Sequence, residues 1–186
     1  SVNSILKIGV NYIKIASIDA NNFHFCEYVA KKRKPTIIST GMCTYKEILR
    51  TQKIFIKYNT PHIFLHCTSA YPSDEKDKNL RCIPKLRNLL NEDVGFSGHG
   101  TGIAGASGAT ALDAKIIEKH VTLNKKMLGP DHAASLEFDT FKTMVDTCRK
   151  IQTSLGSSDK KFLGSEKVLH KILSRKFVVR KEIKLG

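Results

Sequence analysis

Short apolar runs that recur at the spacing of strand and helix units are the feature that most constrains the fold of this chain. The runs begin at residues 12, 36, 62, 94 and 115, so that successive starts are 24, 26, 32 and 21 residues apart. That spacing accommodates one buried strand, a loop and a covering helix. Small or polar residues follow each run, as expected where a strand ends in a loop. The pattern predicts an α/β protein in which parallel strands alternate with helices.

Helical patterns of apolar residues occupy the segments between these runs. Apolar side chains recur on one face of residues 25–29, 48–55 and 80–90, and the longest stripe covers residues 138–155. A period near 3.6 residues over such a length is typical of a helix that packs on one side. Gly156 follows this stripe and is placed to end the helix.

One intervening segment, residues 101–112, is a poor helix former because it contains Gly105 and Gly108. An interior glycine costs about 1 kcal/mol relative to alanine. Two interpretations stay open: either close packing requires small residues here, or the segment is weakly ordered.

The composition limits the classes of function. The 186 residues include 31 Lys+Arg against 17 Asp+Glu, a formal net charge of +14, and 41% are hydrophobic, which is enough for a folded core. Strong positive charge is typical of nucleic-acid binding when it forms a patch. The densest clusters, residues 31–34 and 160–184, carry no aromatic stacking ladder and no zinc-finger or RNA-binding signature. Nucleic acid is therefore not the partner we expect, although it stays a less favoured explanation of the charge.

The apolar content and the cysteines indicate a cellular location. No stretch approaches the roughly 18 to 20 apolar residues that a membrane span needs, so we expect no membrane partner. The five cysteines, at positions 26, 43, 67, 82 and 148, form no C-x-x-C pair and suit a reducing cytoplasm. The chain begins without Met and without a signal-peptide pattern. We expect a cytoplasmic protein and a fragment of a longer chain.

Polar and reactive side chains follow most of the predicted strands. The sets cover residues 14–19, 39–42, 66–72, 97–99 and 118–120. In a protein of repeated βα units, the carboxyl ends of the strands all point to one face. We therefore expect residues that are distant in the sequence to form one pocket there.

Two histidines stand at equivalent positions of neighbouring strands. His99 follows the fourth predicted strand and His120 follows the fifth. Neighbouring parallel strands lie about 4.8 Å apart, close enough for two imidazoles to share one divalent ion. Water and a substrate oxygen would complete an octahedral shell around Mn²⁺ or Mg²⁺. The alternative is a pair of ordinary hydrogen-bonded histidines.

Lys14 lies inside an apolar strand, where a charge is costly unless an anion or a carboxylate pairs with it. Together with Ser17, Ser39 and the backbone amides near Gly41, it can hold a phosphate or a carboxylate. The alternative is that Lys14 points outward between covering helices.

Seven segments, in their order and spacing, resemble the sialic acid synthase family. They are IGVNYIKIASIDANNF, KKRKPTIISTGM, FLHCTSAYP, NLRCI, VGFSGHGTGI, AKIIEKHVTL and GPDHAASLE. The resemblance covers residues 6–158, and the CTSAYP and SGHGTGI segments look most like the animal-type members. It implies an incomplete TIM (β/α)8 barrel of about five βα units, the family's strands 4 to 8, with a short basic C-terminal extension.

The resemblance also implies an activity. Members of the family are transferases that condense phosphoenolpyruvate with open-chain N-acetylmannosamine or its 6-phosphate, giving N-acetylneuraminate or its 9-phosphate and inorganic phosphate. A divalent metal ion, Mn²⁺ or Mg²⁺, polarises the sugar aldehyde that carbon 3 of phosphoenolpyruvate attacks. Full-length members form homodimers.

Matching the motifs position by position implies roles for ten residues. The phosphoenolpyruvate contacts are Lys14, Ser17 and Ser39, and the residues on the sugar side are Ser69, Tyr71, Ser97 and Asp131. Asp19 stands at an acidic position of the family. The metal ligands are His99 and His120, and together with Lys14 they form the catalytic set.

The chain departs from the family pattern at two glycine positions, which hold Ile18 and Asp113. If the backbone at Ile18 requires a positive φ, we expect strain of about 1 to 3 kcal/mol beside Lys14.

The family pattern also extends beyond this chain. Its first strand carries a Glu and its second a Lys near the reacting centre, and neither strand is within these 186 residues. Five of eight units cannot close a barrel. The resemblance divides the chain into a partial barrel domain, residues 1–156, and a segment, residues 157–186, that links to an antifreeze-like domain. An alternative to the synthase is therefore a truncated, inactive remnant that retains metal or anion binding.

Overall fold

Five parallel strands in sequence order form the sheet that positions the candidate site. The computed structural model describes residues 1–186, and its strands are β1 (Ile13–Ile15), β2 (Thr36–Ser39), β3 (His62–Cys67), β4 (Val94–Gly98) and β5 (Ile117–Lys119). Each strand pairs only with its neighbours in the sequence, in the order β1-β2-β3-β4-β5. This is the arrangement of consecutive βα units of a TIM barrel, here an incomplete one. The predicted fold class is confirmed.

The chain contains seven α-helices. They are α1 (Val2–Ile8), α2 (Phe23–Ala30), α3 (Tyr45–Lys57), α4 (Cys82–Leu90), α5 (Ala104–Ala111), α6 (Phe138–Leu155) and α7 (Lys167–Leu173). Helices α2 to α6 each follow one of the five strands, and α2, α3, α4 and α6 occupy the segments where the periodicity predicts helices. Gly156 has a φ of +52°, which ends α6 where the sequence predicts. None of the helices is long and apolar enough to cross a membrane.

The main core lies between the sheet and its covering helices. Buried strand residues such as Ile15, Ile38 and Phe64 belong to one apolar cluster with Phe55 of α3 and Leu86 of α4. Since neighbouring residues of a strand point to opposite faces, the residues that alternate with these core positions line the other face of the sheet.

The glycine-containing segment forms α5, in which both glycines lie close to neighbouring side chains. A Cβ on Gly105 would lie 3.2 Å from Lys78 Cδ and 3.4 Å from Phe96 Cε1. A Cβ on Gly108 would lie 2.7 Å from Leu80 Cδ1. These contacts favour the first of the two interpretations of this segment, close packing.

The two glycine positions that hold other residues differ in their backbone. Ile18 lies in a short 3-10 turn, Ser17–Asp19, and has no positive φ, so the expected strain beside Lys14 is not present. Asp113 does have a φ of +67°. Its carboxylate accepts a hydrogen bond of 3.0 Å from Arg87, and aspartate is one of the residues that tolerate this conformation best.

The chain divides into two compact units, Ser1–Leu155 and Gly156–Gly186. The second unit contains a 3-10 turn, Gly164–Glu166, followed by α7. The apolar run at residues 177–179, Phe-Val-Val, has the pattern of a β-strand, but these residues form no strand. Their side chains are exposed, so no packing partner stabilises an extended pairing.

We predict that Gly95→Ala destabilises the first unit by about 1 to 3 kcal/mol. A Cβ at this position would lie 2.4 Å from Leu65 Cδ2 and 2.6 Å from the backbone oxygen of Ile116. That oxygen accepts a hydrogen bond of 2.8 Å from the Phe96 amide and cannot move without weakening the pairing of β4 with β5. Urea denaturation followed by circular dichroism measures the change.

The matched control is Gly102→Ala, where a Cβ would meet no heavy atom within 4 Å. Its free energy of unfolding should stay within about 0.5 kcal/mol of the original chain. Equal stability of the two variants would contradict the packing argument.

Candidate functional site

The Glu118 carboxylate joins side chains from three other strands on the inner face of the sheet. Its Oε2 accepts hydrogen bonds from Ser97 Oγ at 2.7 Å and from Ser39 Oγ at 3.3 Å. Lys14 Nζ lies 3.5 Å from its Oε1. Lys14 therefore shares a face with the two serines and does not point outward between the covering helices. We call Lys14, Ser39, Ser97 and Glu118 the anion corner.

A second set of contacts surrounds Gly41, in the turn after β2. The Gly41 amide donates a hydrogen bond of 3.0 Å to Ser17 Oγ, which itself donates to Cys67 Sγ at 3.4 Å. A Cβ at Gly41 would lie 2.1 Å from Ser69 Oγ. The Ser69 hydroxyl is buried without a hydrogen-bond partner in the chain, so it is free to bond a water molecule or a polar ligand group.

The two predicted histidines lie side by side. The ring centroids of His99 and His120 are 5.2 Å apart with an interplanar angle of 73°. The Tyr71 ring packs on both, 4.1 Å from His99 and 5.9 Å from His120. Asp131 Oδ2 lies 4.0 Å from His120 Nδ1. We call these four residues the imidazole corner.

A hydrogen bond orients the His99 ring. Its Nδ1–H donates to the backbone oxygen of Thr68 at 2.9 Å. Because a carbonyl only accepts, this bond leaves Nε2 as the nitrogen with a free lone pair, the state in which imidazole binds metals. The chain contains no group of three or more His, Cys, Asp or Glu side chains that could hold a metal ion. The two imidazoles fit a divalent ion only if water or substrate oxygens supply its remaining ligands.

Burial and neighbouring groups change the protonation behaviour of this corner. Burial lowers the pKa of His120, and the nearby His99 lowers it further. Burial also opposes protonation of His99, but hydrogen bonds to Cys67 and to the Thr68 carbonyl outweigh it and raise its pKa. Burial opposes ionisation of Cys67, yet hydrogen bonds from His99 and Ser17 prevail and lower the pKa of its thiol. Cys67 Sγ, 3.8 Å from His99 Nδ1, thus connects the turn at Gly41 with the imidazole corner.

Lys119 connects the backbone segment after His99 with the segment after Asp131. Its ammonium donates hydrogen bonds to the backbone oxygens of Gly100 and Ala134. Burial, followed by the ammonium groups of Lys78 and Lys125, lowers the pKa of Lys119 to about 8. The loop that carries His99 is therefore tied to the segment that follows Asp131.

The structure brings together nine of the ten candidate residues. Asp19 is the exception: its backbone oxygen contacts Cys26 Sγ, and its carboxylate makes no hydrogen bond or ion pair with either corner. Conversely, Glu118 and Cys67 carry contacts that sequence reasoning assigns to no role. The signal for Glu118 was its position two residues before His120, which puts both side chains on one face of β5.

Comparison with known proteins identifies what this chain is similar to. The model of the NeuB family matches residues 1–160. The pseudaminic acid synthase of Campylobacter jejuni is 42% identical over 175 residues, which are 93% of this chain and 50% of that protein. The N-acetylneuraminate-9-phosphate synthase of Mus musculus is 37% identical over 187 residues, covering 100% of this chain and 52% of that protein. The chain thus spans about half the length of the curated relatives it matches.

Solved structures give the same result for the fold. The N-acetylneuraminic acid synthetase of Leptospira borgpetersenii, in complex with citrate, superposes with a TM-score of 0.85 at 34% identity over 94% of this chain and 62% of that one. The DAHP synthase of Thermotoga maritima superposes with a TM-score of 0.68 at 20% identity over 79% of this chain and 46% of that one, a likeness of fold alone.

We predict that Gly41→Ala disrupts the contacts between Ser17, Cys67 and Ser69. The new Cβ would lie 2.9 Å from Ser17 Oγ and 3.2 Å from Cys67 Sγ, besides its overlap with Ser69. The expected cost is about 1 to 3 kcal/mol of unfolding free energy, together with faster alkylation of Cys67. Denaturation and peptide mapping after iodoacetamide treatment measure the two effects. Gly102→Ala serves as the control. Equal rates of Cys67 alkylation in Gly41→Ala and Gly102→Ala would show that Gly41 does not shape this part of the site.

Proposed function

Because the chain belongs to the NeuB family, we propose that its site serves the condensation of phosphoenolpyruvate with an N-acetylated amino sugar to a sialic acid or a related product. The observation that carries this proposal is that the anion corner and the imidazole corner lie on one face of the sheet. A reaction that joins an anionic enol phosphate to a sugar aldehyde needs both kinds of site next to each other.

The anion corner is suited to phosphoenolpyruvate. Lys14 supplies an ammonium group, and Ser39 and Ser97 supply hydroxyl donors beside it. Ser17, held by the Gly41 amide, extends this set toward Ser69. Charged and hydroxyl donors at one place favour phosphate and carboxylate groups.

The imidazole corner is suited to a divalent ion and the sugar. His99, through its Nε2, and His120 would hold Mn²⁺ or Mg²⁺, with water and the sugar as further ligands. When bound, the ion supplies Lewis-acid polarisation of the sugar aldehyde. Tyr71 covers both imidazoles and excludes water from one side, and Asp131, whose side chain is 57% exposed, is placed to accept a sugar hydroxyl.

We extend the proposal to the sugar, the assembly and the location. The similarity to an N-acetylneuraminate-9-phosphate synthase supports N-acetylmannosamine or its 6-phosphate as the substrate and an animal-type enzyme. The similarity to a pseudaminic acid synthase is as extensive, so other acetylated sugars are the competing substrates. A homodimer of the complete protein in the cytoplasm completes the proposal, and a reducing cytoplasm would keep the five free cysteines reduced.

The alternative to a synthase is an inactive remnant that binds ions and anions through the same two corners. Binding without turnover is the behaviour that separates this alternative from the synthase.

We predict that the chain binds one Mn²⁺ and that the double variant His99→Ala/His120→Ala loses this binding, because removing both imidazoles leaves no protein ligand. Titration followed by electron paramagnetic resonance of free Mn²⁺ measures it without any assay of activity. The double variant His24→Ala/His170→Ala removes two histidines outside the site and should bind as the original chain does. Equal loss in both double variants would contradict the assignment of the site.

Phosphate release from phosphoenolpyruvate tests the proposed function. The purified chain is incubated with Mn²⁺ and with N-acetylmannosamine or its 6-phosphate in turn. The synthase assignment predicts release that requires both the metal and the sugar and that disappears in His99→Ala/His120→Ala. Binding of Mn²⁺ and phosphoenolpyruvate without release supports the remnant, and absence of all binding contradicts both.

A further inference from the structure

Glu118 occupies the donors that an incoming anion needs. We propose that its carboxylate is a built-in competitor, which holds Lys14, Ser39 and Ser97 in the ligand-free chain and yields them when an anionic group of the substrate binds. The identity of that substrate as phosphoenolpyruvate rests on the proposed function. The competitor role itself rests on the contacts of Glu118.

The geometry of the contacts supports a substitution of one anion by another. Oε2 accepts from both serine hydroxyls, at 2.7 and 3.3 Å, while Oε1 faces Lys14 Nζ at 3.5 Å. One ammonium and two hydroxyl donors around two oxygens form the same set that a bound carboxylate or phosphate would use. Each donor comes from a different strand, so the carboxylate links side chains of β1, β2 and β4.

The exposure of the pair shows that the exchange is feasible. The side chains of Lys14 and Glu118 are 34% and 38% exposed, so solvent and ligands reach both. Exposed ion pairs contribute little to stability, and an anion with a higher charge can displace a carboxylate from one. The other contact of Lys14 Nζ is the backbone oxygen of Ile15 at 3.0 Å, which is neutral and leaves the ammonium available.

A second consequence is electrostatic. The Glu118 charge faces the same pocket as the incoming anion and repels it, which offsets part of the attraction by Lys14. Glu118→Gln keeps the size of the side chain and one acceptor oxygen for the serines but removes this charge. We therefore expect Glu118→Gln to bind phosphoenolpyruvate and inorganic phosphate about fivefold more tightly than the original chain.

The experiment combines two measurements on the full chain. Isothermal titration with phosphoenolpyruvate and, separately, with inorganic phosphate gives the affinities. Labelling of the ligand-free chain with an amine-reactive reagent, followed by peptide mapping, measures the reactivity of Lys14. This reactivity should rise several-fold in Glu118→Gln. Glu182→Gln makes the same change in net charge at an exposed position of the second unit and should match the original chain in both measurements.

The outcomes are distinct. Tighter anion binding and faster Lys14 labelling in Glu118→Gln alone support the competitor. Unchanged or weaker binding overturns it, because Glu118 would then be neutral or helpful to the ligand; absence of anion binding in every variant also overturns it. Tighter binding of inorganic phosphate with no binding of phosphoenolpyruvate supports the competitor and contradicts the proposed function.

Glu118→Asp provides a second variant should Glu118→Gln fold poorly. It keeps the charge but withdraws the carboxylate from Lys14 and the serines by one methylene group. The competitor role predicts Lys14 labelling between those of the original chain and Glu118→Gln. Labelling at the original rate would count against it.

Discussion

The parallel pairing of five strands in sequence order is the constraint on which the site depends. The register sets Cys67 beside Ser97 and Ser97 beside Glu118, so the carboxyl ends of β3, β4 and β5 lie level with one another. Since alternate residues of a strand share a face, Ser97 and His99 point the same way, as do Glu118 and His120. The anion corner and the imidazole corner are adjacent for this reason, one side-chain layer above the other along the same strands.

The sequence predicts the fold where side chains are buried and fails where they are exposed. The strands and the long helix α6 follow patterns of residues that pack in the core. By contrast, α1 has only seven residues and fully buries only Val2, so its few apolar side chains do not establish a helical period. The start of β5 at Ile117 lies two residues later than expected, yet the Lys115 amide already donates to the Val94 oxygen, so the backbone begins to pair at the predicted position.

For the site, the sequence predicts which residues share a face of the sheet but not which side chains contact one another. Positions at strand ends and the family resemblance are enough to select Lys14, Ser39, Ser97 and the two histidines, because these depend on which face a residue occupies. Contacts between side chains depend on rotamers and on distances between strands, which a sequence does not specify. Glu118 shows the difference. The sequence places it at the end of a strand, but only the structure shows that its carboxylate contacts donor side chains from three other strands.

The turn at Gly41 and the imidazole corner are also joined chemically, through Cys67. Its buried sulfur accepts from Ser17, which the Gly41 amide holds, and contacts His99 Nδ1, which donates to the Thr68 oxygen. Burial alone would raise the pKa of this thiol, but its pKa is lowered because the hydrogen-bond donors around it favour negative charge on the sulfur. The same local field favours an anionic oxygen of a ligand between the serines and the imidazoles. A ligand group that carries negative charge therefore fits this position better than a neutral group would.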